Sequence, residues 1–426
     1  MFNNFRSVSN YQVSRALLIF ALIFAGEMIF GLPFHIARFF RPTLLEVFNL
    51  SNADLGDIFA GYGVLAMLAY FPGGAIADRF SARKLLSLSL VATALGGIYM
   101  ASVPGQTGLA LLFAYWGITS ILLFWAALIR ATREWGGQLA QGRAFGLLDG
   151  GRGLVAALVA TVAAWMLSLL LPSTIENIDD LQRRYALQVI ILFYSAMTAL
   201  AAVLVWLLLP ETDDHNTKTA KPLPGMKYVL RQRVVWLQSA IVVCAYCAYK
   251  GLDNYGLYAV DALHMNEVEA AQFTSLAAYL RPIAAILAGL LADRLAASRI
   301  IGAMFLLLFV CYAWLAFVSP SPFVNHIIYA NIVCSFFAVY ALRGVYFALL
   351  EETKIANSLT GTAVGLISLI GFTPDIFFAS IAGRLLDSAP GVEGHQHFFM
   401  MLTGIACVGL ICTIVLTSTT STTRHH

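Results

Sequence analysis

The sequence is poor in charged residues. Asp, Glu, Lys and Arg make up only 12% of its 426 residues, whereas 60% are hydrophobic. Soluble globular domains carry about 25% charged residues. No polar stretch is long enough to form a sizeable aqueous domain. A water-soluble core cannot hide this much apolar surface, so the composition predicts a chain that lies within a bilayer.

Cysteine is also scarce, and its positions exclude a secreted disulfide framework. All six cysteines fall inside apolar stretches. Cys244 and Cys247 form a C-x-x-C pattern, but they lack the βαβ context of a redox motif, so we interpret them as structural.

Sequence signatures of catalysis are missing as well. There is no Walker loop, no H-E-x-x-H and no cluster of histidines within the apolar stretches. The net charge is only +3, and the basic residues are spread over short loops. These observations disfavour an ATP-driven pump, a membrane-embedded enzyme and a nucleic-acid partner, and they predict neither a metal site nor a cofactor.

Long apolar runs dominate the sequence instead. A transmembrane helix needs about 20 apolar residues, and we find twelve such runs, from Leu17–Pro33 to Phe398–Leu416. Loops on one side hold 17 Lys and Arg, whereas those on the other hold five. This bias predicts that both termini are cytoplasmic. The first run is too long for a signal-peptide core, so we expect an uncleaved first helix in a bacterial inner membrane.

An internal repeat divides the chain into two six-helix halves. Residues 74–84 (GAIADRFSARK) and 289–299 (GLLADRLAASR) each follow the second run of a half. Residues 142–146 and 361–365 each open a fifth run. The predicted divisions are an N-terminal half at 1–210, a cytoplasmic linker at 211–233, a C-terminal half at 234–424, and the remnant of a purification tag at 425–426.

These features resemble the major facilitator superfamily. The resemblance rests on twelve helices, the central linker and the pattern G-x-x-x-D-R-x-x-x-R-K at 74–84, although the family usually has glycine where Ser81 or Ala82 stands. The glycine-rich stretch from Trp135 to Gly153 is similar to the nitrate/nitrite and organophosphate branches. The resemblance implies an all-α membrane fold whose halves rock around a central cavity by alternating access. It also implies a gate on the cytoplasmic side, to which we assign Asp78, Arg79, Arg143, Asp293 and Arg294.

Seven ionisable residues stand out inside the apolar runs, where charge is costly and marks function by default. They are Glu27, Arg152, Lys250, Asp253, Arg281, Arg343 and Asp375. Four are cations and three are anions, and such a surplus suits an anionic ligand. We therefore assign substrate binding to Lys250, Arg281 and Arg343, together with Tyr249 and Tyr255 from a tyrosine stripe. The alternative is that the charges form structural pairs, as Lys250 can with Asp253 three residues later.

Acidic residues in an intermittently wet apolar site can load and release protons. On this basis Glu27, Asp375 and Asp253 are the candidates for proton coupling, and Asp375 follows Pro374, which kinks a helix. His35, near the outer end of the first run, is either interfacial or functional.

The sequence thus predicts a secondary active transporter for a small anionic organic solute, coupled to protons or to exchange. Its partners would be the solute, a proton or counter-substrate and the lipid bilayer, and we expect a monomer. Two alternatives stay open. One is a transporter of a neutral, zwitterionic or cationic solute with structural buried charges, and the other is a receptor or sensor with a transporter fold but no net flux.

Overall fold

A computed structural model describes residues 3–137, 141–171, 179–211, 226–321, 323–352 and 360–422. These residues are almost entirely helical and contain no β-strand. The helices are α1 (Asn3–Met28), α2 (Ile36–Phe39), α3 (Arg41–Phe48), α4 (Asn52–Arg79), α5 (Ala82–Ala101), α6 (Gln106–Ile118), α7 (Ala126–Gly136), α8 (Gln141–Leu170), α9 (Asp180–Leu208), α10 (Met226–Arg231), α11 (Arg233–Gly251), α12 (Tyr255–Asp261), α13 (Glu267–Ala278), α14 (Leu280–Leu295), α15 (Ala297–Phe317), α16 (Asn325–Val345), α17 (Leu349–Glu352), α18 (Thr360–Gly371), α19 (Pro374–Leu386) and α20 (Val392–Thr422).

Four shorter helical segments interrupt the described spans. Two are π-helical, Gly31–His35 and Thr119–Trp125, and two are 3₁₀-helical, Leu252–Asn254 and Tyr346–Ala348. π-Helical turns are rare and are frequently found at functional sites. The two π-helical segments are therefore candidates for positions near a functional site.

Eleven described helical segments are long and apolar enough to cross a membrane. A twelfth span results if Arg15–Met28 and Gly31–Phe39, which meet at 43°, are counted as one broken helix. Large apolar side chains such as Leu169, Leu207 and Phe317 are exposed on these spans. Because water does not tolerate such a surface but lipid does, the outer faces fit a bilayer.

The chain forms two compact units: Met1–Ala37 with Val64–Thr219, and Arg38–Gly63 with Ala220–His426. In the first unit, α1 packs against α8 and α9, and α5 packs against α9. In the second, α11 packs against α18 and α20, and α14 packs against α16. Chain order does not predict that 38–63 packs within the second unit. The predicted halves, linker and tag remnant stay a prediction, since residues 212–225 and 423–426 lie outside the described part.

Within the second unit, α4 and α19 approach each other at backbone distance. A Cβ atom built on Gly63 would meet the carbonyl oxygen of Asp375, and one built on Gly56 would meet that of Ala379. Gly383, on the opposite helix, faces the backbone at the start of α4 in the same way. Small residues at such positions allow close packing of membrane helices. We call Gly56, Gly63 and Gly383 the α4–α19 seam.

Polar groups hold the same helix pair together at its end. Both terminal nitrogens of Arg384 donate to the Asp57 carboxylate, at 2.8 and 2.9 Å. Asp387 accepts from the backbone N–H groups of Asn52 at 3.2 Å and Ala53 at 2.7 Å. A carboxylate at the first turn satisfies unpaired N–H groups and complements the helix dipole. The N-terminus of α4 is therefore capped by a residue from the distant end of the chain.

Candidate functional site

A buried charged triad lies in the first unit. The Glu27 carboxylate faces His35 Nε2 at 3.2 Å through one oxygen and accepts from Arg152 Nε at 3.0 Å through the other. The three residues are only 2%, 3% and 6% exposed, respectively. Ionic groups this far from water must be paired, because an isolated buried charge costs several kcal/mol. We call these residues the Glu27 triad.

The break in the first span brings His35 to Glu27. The two residues are eight apart, which is about 12 Å along the axis of an unbroken α-helix. Here α1 ends at Met28, and the π-helical turn that follows carries His35 back towards the carboxylate. Gly31 permits this path, because a Cβ atom there would meet the Tyr194 ring at 3.0 Å. The bend therefore places the His35 ring next to the Glu27 carboxylate.

Aromatic rings surround the triad. The Arg152 guanidinium carbon lies 5.5 Å from the ring centroid of Phe30 and 5.7 Å from that of Trp125. Tyr194 from α9 meets the His35 ring edge-on, with the centroids 5.9 Å apart. Trp125 ends the second π-helical segment. Both π-helical segments therefore contribute side chains to this one site.

A second network of charges lies in the second unit. Arg38 Nε donates to Asp253 at 2.5 Å, and another of its nitrogens donates to the Tyr249 hydroxyl at 2.8 Å. Lys250 Nζ lies 3.3 Å from Asp375 and 3.8 Å from Asp253. Arg38, Lys250 and Asp253 are buried, and Asp375 is half-buried. Cations and carboxylates thus alternate along one chain of contacts.

Tyrosine rings line this network. The Tyr249 ring centroid lies 4.4 Å from the guanidinium carbon of Arg38 and 4.1 Å from that of Arg343. Tyr246 stacks on Tyr249 at 5.9 Å and donates from its hydroxyl to Asp375 at 3.0 Å. Cations over the face of a ring are attracted by its quadrupole. One aromatic ring therefore gathers two guanidinium groups.

Arg281 lies near the same network. It is 5% exposed on α14, and α14 packs against α16, the helix that carries Arg343. We call Arg38, Tyr249, Lys250, Arg281, Arg343 and Asp375 the cation cluster. It unites three substrate-binding candidates predicted from the sequence, Lys250, Arg281 and Arg343, with the predicted Tyr249.

A small crevice opens beside the cation cluster. It has a volume of about 10 Å³, which is enough for roughly one water molecule. Arg41, Lys250 and Asp253 line it together with the Phe59 ring, whose centroid is 5.0 Å from Lys250 Nζ. Burial lowers the pKa of Arg41 to about 10, although the negative charges of Asp253 and Asp387 act to raise it. Arg41 therefore stays a cation at neutral pH and adds to the positive charge of this region.

Two of the remaining predicted residues, Tyr255 and Glu27, are not part of the cation cluster. Tyr255 packs against Phe336 and Phe399 in an aromatic core. Of the proton-coupling candidates, Asp253 and Asp375 lie in the second unit with the cations, whereas Glu27 lies in the first. Their roles stay predictions.

The predicted gate residues are spread over the chain. Asp78, Arg79 and Arg294 are exposed, whereas the residues of the Glu27 triad are buried. The side chains of Arg143 and Asp293 lie outside the described part. The gating role of all five stays a prediction.

Sequence reasoning missed Arg38 and left Tyr246 out of the site. Arg38 falls among the five loop cations of its side, because the apolar run that precedes it, Leu17–Pro33, ends before it. The available signal was its spacing, three residues after His35, which continues a helix face. Among the described residues, no group of three or more His, Cys, Asp or Glu side chains could hold a metal ion.

The comparisons with known proteins define the class. The sequence profile of the Major Facilitator Superfamily matches residues 16–336, more than half of the chain, and the chain belongs to this family. It has the fold of the family, as the sequence predicted, and it is a multi-pass integral membrane transporter rather than an enzyme.

Its relatives include two inner membrane proteins of Escherichia coli K12. YqcE is 26% identical over 412 residues and YihN is 26% identical over 415, and in each case 93% of both chains is covered. The nucleoside transporter NupG superposes with a TM-score of 0.73 at 12% identity, over 95% of this chain and 98% of its own. A bacterial homologue of the human lysosomal transporter Spinster gives 0.70 at 14% identity, over 96% of each chain.

Proposed function

We propose that this protein is a secondary active transporter that moves a small anionic organic solute by alternating access, coupled to protons or to exchange. The cation cluster is the observation that carries the anionic part of the proposal. Arg38, Lys250, Arg281 and Arg343 bring four cations to one region, where the described network holds two carboxylates, Asp253 and Asp375. A carboxylate or phosphate entering there would gain charge-assisted hydrogen bonds in a partly desolvated site.

The Tyr249 ring fixes the orientation of two arginine side chains in the cluster. It orients Arg38 and Arg343 by contacts with both guanidinium groups. A guanidinium offers a planar fork of donors that matches a carboxylate or phosphate in two places at once, whereas Lys250 supplies a point charge. We therefore assign substrate binding to Arg343, Lys250 and Arg281, with Tyr249 as the positioning ring, and the role of Tyr255 stays a prediction.

Membrane orientation and gating complete the proposal. The loop charges favour cytoplasmic termini, and the E. coli relatives are inner membrane proteins, so we assign this protein to a bacterial inner membrane. Asp78, Arg79, Arg143, Asp293 and Arg294 are proposed as the cytoplasmic gate, on the repeated sequence pattern alone.

A neutral solute with a planar ring is the second candidate. Tyr246 and Tyr249 are stacked with an interplanar angle of 28°, and Phe372 meets Tyr246 edge-on. Aromatic surfaces of this kind can bind a flat ring, and a fold neighbour is a nucleoside transporter. In this alternative the cations and carboxylates would serve as structural pairs.

Ligand-dependent thermal stabilisation of the purified protein distinguishes the two. We expect phosphorylated and carboxylated metabolites, but not neutral nucleosides, to raise the melting temperature, because a ligand at 100 times its Kd stabilises the native state by about 2.7 kcal/mol. Arg343→Gln and Lys250→Gln should each weaken the apparent affinity by roughly 10- to 150-fold, the loss of one hydrogen bond to a charged group.

Arg299→Gln is the matched control, since Arg299 is an exposed arginine of the same unit. It should leave the response to anions unchanged. Stabilisation by nucleosides alone, with normal responses from the Arg343 and Lys250 variants, would favour the neutral solute. Uptake of the stabilising compound into proteoliposomes then separates a transporter from a receptor, which would bind the compound without moving it.

A further inference from the structure

The residues of the Glu27 triad are not part of the proposed solute site. We infer that the transported ion is a proton and that His35 is the residue that takes it up and releases it, with Glu27 and Arg152 as its positioning residues. This inference rests on the proposed function, because a proton carrier acts only in a coupled transporter. It also decides between proton coupling and exchange.

Two segments of rare backbone geometry meet at the Glu27 triad. The two π-helical segments of the described chain, Gly31–His35 and Thr119–Trp125, come from different spans, yet both reach the triad. One carries His35 to the Glu27 carboxylate, and the other places Trp125 against Arg152. A regular helix would give better hydrogen-bond geometry at each place, so the irregular turns are retained for what they position.

The arrangement of charge selects His35 as the carrier. Glu27 and Arg152 form a pair that is 2% and 6% exposed. Protonating Glu27 would neutralise the carboxylate that pairs with the buried Arg152 guanidinium at 3.0 Å and would weaken that ion pair. A neutral imidazole that faces a carboxylate through Nε2 carries its hydrogen on that nitrogen. His35 therefore binds the added proton at Nδ1, while Nε2–H keeps donating to the carboxylate oxygen that Arg152 Nε does not contact. Imidazole is also the side chain that ordinarily changes charge between about pH 5 and 8.

Four helices, α1, α5, α8 and α9, pack around the turn that carries His35. Glu27 faces it from α1, with Arg152 from α8 on the far side of the carboxylate. From α9, Tyr194 faces it, and the Tyr194 hydroxyl has no hydrogen-bond partner among the described residues. The helix α5 also packs against this turn, and its residues 85–101 include no acidic or basic side chain. Glu27 is therefore the carboxylate that would stabilise a proton on His35.

The proton step is simple and balanced. Neutral His35 takes one proton from a water-borne donor on the loading side and becomes an imidazolium hydrogen-bonded to Glu27. The triad then changes from no net charge to one positive charge. On the release side the same proton returns to water and the neutral imidazole is restored. A charge that appears and disappears inside an apolar unit biases its conformational equilibrium, which is the physical basis of coupling.

Nuclear magnetic resonance of the full-length protein with ¹⁵N-labelled histidine in detergent micelles tests the carrier without any substrate. We expect the His35 ring nitrogens to titrate between about pH 5 and 8 and Glu27→Gln to change the His35 midpoint. The signal of the half-buried His397, which is hydrogen-bonded to Ser388, should respond to pH in the same way with and without that substitution. His35→Gln assigns the signal, and His35→Asn replaces it if that variant does not fold. A His35 ring that keeps one protonation state from about pH 5 to 9 overturns the inference.

Proteoliposomes containing a pH-sensitive dye provide the functional arm, with glycerol 3-phosphate and fumarate as probe anions. We expect anion-driven proton movement in the wild type and in His397→Gln. In His35→Gln we expect its loss, with exchange of the same probe across the membrane retained. Anion uptake without proton movement in the wild type would overturn the proton inference and leave the proposed function standing. Absence of any anion flux would instead count against the proposed function, and the titration of His35 would still decide the role of the triad.

Discussion

Arg152→Ala is expected to destabilise the protein by about 3–5 kcal/mol, the usual cost of removing one partner from a buried ion pair. The substitution leaves the Glu27 carboxylate, which is 2% exposed, without its guanidinium. It also removes a side chain that contacts the Phe30 and Trp125 rings. The free energy of unfolding in mixed detergent micelles measures the loss directly.

A surface pair supplies the control for this prediction. Arg183 pairs with Asp180 at 3.0 Å, and the Asp180 side chain is 97% exposed. The Arg183 side chain is only 16% exposed, so the control substitution is made at the solvated partner. A pair with one fully exposed partner contributes about 0–1 kcal/mol, and Asp180→Ala should therefore have little effect. Adding Glu27→Gln to Arg152→Ala should restore part of the stability, because the buried carboxylate that lost its guanidinium is then neutral. A loss below about 1 kcal/mol for Arg152→Ala would mean that water reaches Glu27 and that the pair is not desolvated.

Gly63→Ala and Gly61→Ala should have opposite effects although they lie two residues apart on α4. A methyl group on Gly63 would collide with the backbone of Asp375 and Ile376, whereas one on Gly61 meets nothing within 4 Å. Overpacking of this kind costs about 1–3 kcal/mol. Alanine in place of glycine within a helix otherwise stabilises by roughly 0.5–1 kcal/mol. We therefore expect Gly63→Ala to lower and Gly61→Ala to raise the free energy of unfolding.

Gly383→Ala tests the seam from the opposite helix. Its methyl group would meet the backbone of Asn52, so this variant should behave like Gly63→Ala. Equal effects of alanine at Gly61 and Gly63 would show that α4 and α19 are not in backbone contact in the membrane. The α4–α19 seam would then not exist in the membrane-embedded protein.

Apolar length alone accounts for most of the spans predicted from the sequence. The last run, Phe398–Leu416, lies entirely within α20. The first span differs, because hydropathy predicts a single helix over 17–33 and the structure breaks it after Met28. That break depends on how Gly31 packs against Tyr194. Hydropathy and periodicity contain no information about a tertiary contact of this kind.

The charged residues of the candidate sites could be predicted, but most of their partners could not. Their energetic cost in lipid singles out Glu27 and Lys250 from composition alone. The helical spacing of Lys250 and Asp253 predicted a possible pair, and the structure has them 3.8 Å apart, with Asp375 nearer at 3.3 Å. The bond between Arg38 and Asp253 joins residues 215 apart in the chain. Only the folded chain reveals such a pairing.

Biosynthesis imposes an order on the packing of residues 38–63. Asp57 contacts a residue 327 positions later, and Asn52 contacts one 335 positions later. At about 5–20 residues per second, the ribosome delivers these partners roughly 15 to 65 seconds after α4 itself. During that interval Ser51 can already accept from the Asp54 N–H group, whereas the N–H groups of Asn52 and Ala53 depend on water or lipid headgroups. A chain that terminates before α19 would never supply the Asp387 carboxylate to those two groups, so the cap of α4 is completed only near the end of synthesis.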